Sequence, residues 1–129
     1  MIKAPLVLAF LLLYGPCGMA ANPSVNCEDG AGSMAEVRAC LHEQNVASVK
    51  AAYAALSVKI KARMPQASDE LEAAQRSWVQ YARDSCDFLG EFNAGTMIRE
   101  DARANCWADF VRARVKLLRS WEMQLEKRP

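Results

Sequence analysis

From Met34 onward apolar side chains return in steps of three and four: Val37, Leu41, Val49, Tyr53, Leu56, Ile60 and Met64 follow one another, with Asn45 interrupting. That rhythm matches the 3.6-residue turn of an α-helix and lays the apolar groups along one face. Ser33, three residues before Glu36, has capping-box spacing, so the first helix starts there, and Pro65 stops it. The breaker-rich stretch 22–33 ahead of it reads as an irregular lead-in.

A second pattern opens at Ser68, the next expected N-cap, with Asp69, Glu70 and Glu72 suited to the positive end of a helix dipole. Leu71, Ala74, Trp78, Tyr81 and Ser85 share its stripe to about Leu89; Gly90 is expected at the C′ position, and 91–95 as a hairpin tip. A third helix begins between Thr96 and Asp101, and its buried face is read as Trp107, Phe110, Val111, Arg114, Leu117, Leu118, Trp121 and Leu125. No window alternates convincingly with period two. The fold class expected is therefore all-α, a small antiparallel three-helix bundle.

The residues ahead of these helices change the setting. Lys3 precedes an apolar run from Leu6 to Tyr14 and the small residues Gly18 and Ala20, which together read as an export signal over 1–20, cleaved before Ala21. The run is too short to anchor the chain in a bilayer, so no stable membrane insertion is expected after cleavage. Cys17 raises a lipoprotein alternative, against which Tyr14-Gly15-Pro16 lacks the Leu and small residues that lipidation requires. The remaining domain is 21–129, and its location is read as periplasmic or secreted. Losing Lys3 takes the 16 basic side chains to 15, equal to the 15 acidic ones, so net charge selects neither nucleic acid nor an anionic membrane as partner. An amphipathic membrane-surface helix is also disfavoured, because the polar faces mix both signs.

Cysteines add more. Five less Cys17 leaves four, Cys27, Cys40, Cys86 and Cys106, an even number in a chain bound for an oxidising compartment. Of three possible connectivities the two sequential loops, Cys27 with Cys40 and Cys86 with Cys106, are expected, since each closes a short segment flanking a helix; each stabilises by roughly 3 kcal/mol. No Cys-x-x-Cys is present, so a thioredoxin-type site and a zinc knuckle are unsupported.

The stretch Ala74-Gln75-Arg76-x-Trp78-x-x-Tyr81, with Cys86 after it, the Cys27 and Cys40 pair and Tyr53-x-x-Leu56 before it, and Cys106 and Arg114 beyond, resembles the LprI-like lysozyme inhibitor N-terminal domain family. The likeness covers nearly all of 21–129. Where that family has Arg-Asp directly after the aromatic, this chain has Ala82-Arg83-Asp84, and it carries Trp107 and Val111 where a Leu and a Thr are usual. The resemblance implies an exported helical domain and, from a namesake, lysozyme inhibition. Gln75, Arg76, Trp78, Tyr81 and Arg114 are read as its structural motif, with Trp78 and Tyr81 packed inward, Arg76, Gln80 and Arg83 turned outward, and Gln75 or an arginine serving as polar partner to a buried indole or phenol.

Catalytic chemistry finds little to stand on. His42 is the lone histidine, and His42-Glu43-Gln44-Asn45-Val46 begins like a zinc-protease helix but has Val46 where the second His belongs. Nucleophile elbows and phosphate loops are absent from the sequence, and pairs such as Glu100-Asp101 read as dipole partners. No catalytic residue, metal or cofactor is assigned, and the chain is read as a non-catalytic binding protein. The candidate partner surface is the hairpin between Cys86 and Cys106, with Asp87, Glu91, Phe92, Asn93, Arg99, Glu100 and Asp101. A staple across its base reduces the ordering entropy lost on binding, and an acidic, aromatic tip complements a basic lysozyme-type muramidase. The alternative is a structural or stress-related envelope interaction protein without lysozyme activity.

Overall fold

The computed structural model describes residues 25–129; the export signal, its cleavage point and Cys17 lie outside the described residues. Helix α1 spans Met34–Arg63, a single 3-10 turn Pro65–Ala67 follows, and then come α2, Ser68–Phe92, and α3, Arg99–Glu126. At the start of α1 the Glu36 amide donates to Ser33 Oγ at 3.2 Å, the first half of the expected capping box. The second half is displaced by one residue, with Glu36 Oε2 accepting from the Gly32 amide at 2.6 Å. Pro65 ends α1 as expected, because the residue before a proline is pushed out of the helical region, and Met64 sits at φ −143°, ψ 59°.

Two expected boundaries shift. Ser68 is already helical, since the turn from Pro65 runs straight into α2, and Ala67 is its N-cap without a side-chain bond. Gly90 does not end α2 but lies buried within it, and a Cβ there would stand 2.8 Å from Arg103 Nε and 2.9 Å from its Cγ. Its missing side chain is room for a neighbouring helix, and α2 continues to Phe92. Asn93 then caps it, donating from Nδ2 to the Leu89 carbonyl at 2.8 Å, and Gly95 takes φ +93° in the tip.

Helix α3 is the centre of the arrangement: it packs along α1 on one side and α2 on the other, while α1 and α2 share few direct contacts. α1 and α3 run parallel, tied by Arg38 to Asp101 at 2.8 Å near one end and by Arg63 Nη1 donating to the Leu125 carbonyl at 2.7 Å near the other. α2 runs antiparallel to α3 and is stapled to it by Cys86–Cys106, while Cys27–Cys40 fastens the lead-in to α1, both pairings as the spacing predicts.

The core joins Val49, Ala52 and Leu56 of α1 to Val111, Val115, Leu118 and Leu125 of α3, with Trp78, Trp107 and Trp121 packed against it. Leu56 and Leu118 are fully enclosed, each contributing about 1.5–3 kcal/mol by leaving water. α2 buries only the small residues Ala82, Cys86 and Gly90, which lets its backbone approach α3 closely. Its contact strip is therefore narrower than the apolar pattern suggests. Tyr81, expected inward, is 64% exposed, and Leu117 of α3 and Met34 and Leu41 of α1 are likewise exposed instead of buried.

Candidate functional site

Where α2 and α3 cross, the motif residues divide into an interior and an exterior set. Arg114 is 7% exposed, and its guanidinium lies 5.5 Å from the Trp78 ring centre and 5.3 Å from that of Trp121. Its Nε donates to Gln75 Oε1 at 3.1 Å, so Gln75 serves the arginine and not an indole or phenol as expected, and among the described residues no carboxylate pairs with it. Burial lowers the Arg114 pKa from its usual value, yet two ring faces stand in for a counter-ion. Arg76 pairs with Glu72 on the surface, and Tyr81 meets Phe110 edge-on at 5.5 Å. Arg76, Gln80 and Arg83 point outward as expected. The Gln75–Arg114–Trp78 group joins α2 to α3.

The hairpin end is organised differently from the expected free acidic loop. Asp87 is 3.3 Å from Arg103 Nε, and Glu91 sits between Arg99 at 3.3 Å and Arg103 at 3.4 Å. Asp101 is turned away to Arg38 of α1, and Asn93 is occupied as the helix cap. Of the residues proposed from sequence, Phe92 and Glu100 remain exposed without such engagement among the described residues. The sequence reading named Phe92 as the aromatic of this end but missed the apolar neighbours that extend it. Phe88 and Phe92, one turn apart, stack with ring centres 5.7 Å apart and are 63% and 73% exposed, and Met97 and Ile98 are exposed just before α3 begins. Their i, i+4 spacing was the available signal.

Adjoining this end, and sharing Asp87, Glu100 and Arg103 with it, a cleft opens between α1 and α2 with α3 as its floor. His42 is exposed on α1 and lies 5.8 Å from Trp107, which in turn is 5.7 Å from Trp78. Among the described residues no group of three His, Cys, Asp or Glu is placed to hold a metal ion, and no helix is long and apolar enough to cross a membrane.

Comparison with known proteins finds the family model for lysozyme inhibitor LprI matching residues 26–118. No curated protein and no solved structure matches the chain. The matched span takes in both disulfides, the Gln75–Arg114 bond between α2 and α3 and the whole exposed hairpin end, and on that extent the chain belongs to the lysozyme inhibitor LprI family.

Proposed function

We propose that this protein is an exported, non-catalytic binding domain that inhibits a lysozyme-type muramidase in the bacterial envelope, docking through the end of the α2–α3 hairpin. Family membership supplies the partner class, and two disulfides suit an oxidising compartment. The observation that carries the docking surface is the pair of exposed, stacked rings Phe88 and Phe92 beside Met97 and Ile98, on a hairpin braced by Cys86–Cys106. Rigid aromatic anchors of this kind dominate interface energetics, because they bury much area while losing little conformational freedom.

The charged residues take a secondary part. Asp87 and Glu91 are already held by Arg99 and Arg103, so with Glu100 they form a polar rim that orients the partner and adds little affinity. Asp101 belongs to the α1–α3 joint. The test is inhibition of lysozymes of several classes by the oxidised protein, compared with a Phe88→Ser/Phe92→Ser/Ile98→Ser variant. Loss of inhibition with an unchanged melting temperature is expected; a protein that slows no lysozyme class at micromolar concentration defeats this reading.

A further inference from the structure

Away from the hairpin end, where α1 finishes and α2 begins, the bundle holds a second concavity. Leu56, Ile60 and Met64 of α1 form one wall, Trp121 and Leu125 of α3 another and Leu71 of α2 a third, around a volume of about 200 Å³. Its origin lies in the connection between the helices. The 3-10 turn Pro65–Ala67 carries the chain from α1 into α2, which share few direct contacts beyond it, so the wedge between their ends is left to the small side chain of Ala67. Among the lining residues Leu56 and Leu125 are buried while Gln124 and Arg128 are exposed, which puts apolar surface inside and the polar groups at the mouth.

The two polar groups differ in what they can still offer. Gln124 Nε2 already donates to Ser120 Oγ at 3.2 Å. Arg128 is held by its backbone, whose carbonyl accepts from Arg63 Nη2 at 2.7 Å, but its own guanidinium reaches only Met64 Sδ, at 3.7 Å. A thioether is a weak acceptor. Among the described residues no carboxylate pairs with Arg128, so the mouth of an apolar pocket carries a cation without a counter-ion.

Size and charge together define what fits. An apolar cavity of about 150 Å³ takes up a benzene ring. The volume here, about 200 Å³, admits one such ring and little more. A single guanidinium matches a carboxylate, which brings one charge and two oxygens to its paired N–H groups, whereas a phosphate monoester brings roughly twice the charge.

We infer that this pocket binds a small apolar carboxylic acid, its single ring held between Leu56, Leu71 and Trp121 and its carboxylate paired with Arg128 at the mouth. The carboxylate stays in contact with water, so little of its hydration is lost, while the ring leaves water for apolar walls. None of these residues belongs to the Phe88, Phe92 and Ile98 surface or to its rim of Asp87, Glu91 and Glu100, so the site is tested separately from lysozyme inhibition.

The experiment is a titration of the oxidised protein with phenylacetate at neutral pH, followed by the indole N–H resonance of Trp121 in nitrogen-15 NMR spectra. A saturable shift is expected, larger at Trp121 than at Trp107. Phenylacetamide, which keeps the ring and loses the charge, should bind about tenfold more weakly, the equivalent of one charge-assisted hydrogen bond, and acetate, which lacks the ring, should give no saturable shift. Arg128→Gln, at an exposed chain end, should bind the acid and the amide alike. Ala67→Leu, which fills the pocket, should abolish binding with the fold retained. No saturable Trp121 shift with phenylacetate, equal affinities for acid and amide in the wild type, or discrimination kept by Arg128→Gln would each overturn the assignment. So would unchanged binding of phenylacetate by a folded Ala67→Leu protein.

Discussion

Arg114 is a cation held out of water with two indoles in place of a counter-ion. A guanidinium can serve there because it is planar and weakly hydrated, stacking between Trp78 and Trp121 while its edge reaches Gln75. Lysine keeps the charge but not the plane. Arg114→Lys is therefore expected to lower stability by about 1–3 kcal/mol in urea unfolding, through lost stacking and a stranded Gln75. Trp78→Ala removes one ring of the pair together with core packing and should cost about 3 kcal/mol, a large share of the ~5–15 kcal/mol that holds a domain folded. Equal midpoints for wild type and either variant would show that the sandwich contributes nothing.

Helix crossings depend on single atoms in the same way. Gly90 sits inside α2, where exchange for alanine ordinarily stabilises a helix by up to ~1 kcal/mol. Here the added methyl meets the Arg103 side chain at 2.8 Å, so Gly90→Ala is expected to lower the melting temperature, with an overpacking cost of about 1–3 kcal/mol. The same exchange in an Arg103→Ala background should raise it, and a drop in both backgrounds would locate the strain elsewhere. At the far end of the molecule Lys59 of α1 bridges Glu122 and Glu126 of α3. Hydrogen bonding to Glu122 and Glu126 raises the Lys59 pKa above 10.5, and the bond to Lys59 lowers the Glu126 pKa below 4.5. The signs are opposite: the Glu126 contribution is present above 4.5 and lost as pH falls through its depressed folded value, while that of Lys59 is present below 10.5 and lost as pH rises through its raised one. The stability difference between wild type and Lys59→Met should thus be level across neutral pH and vanish at both extremes, as read from melting temperatures. Exposure of the group keeps the difference small and sensitive to salt.

For the whole molecule, the consequence of a central α3 is an uneven distribution of stability. It alone is packed on two sides, so its amides between Cys106 and Leu118 should exchange with solvent most slowly, and those at the start of α1 and the end of α2 faster. Slower exchange in α1 than in α3 would contradict this layout. Because the tip carboxylates are already paired with arginines, inhibition of a lysozyme should weaken only slightly between low and moderate salt, in contrast to the strong salt dependence expected of a free acidic loop.

What could be read without coordinates was governed by neighbours in the chain. The Ser33 cap, the stop at Pro65, the three apolar periodicities and the pairing of each cysteine with its nearest successor all follow from interactions spanning a few turns or one short loop. Contacts between distant residues were out of reach. Asp101 looks like part of an acidic tip until α3 is laid parallel to α1 and Arg38, 63 residues earlier, takes it up. Tyr81 and Leu117 match the apolar rhythm yet face solvent, because α2 touches only α3 along most of its length and the strip between them is as narrow as Ala82, Cys86 and Gly90 allow. The open cleft between α1 and α2 has the same origin. Periodicity says that a helix has an apolar face, but the number of helices packed against it, and their register, decides how much of that face is covered and which charges find a partner.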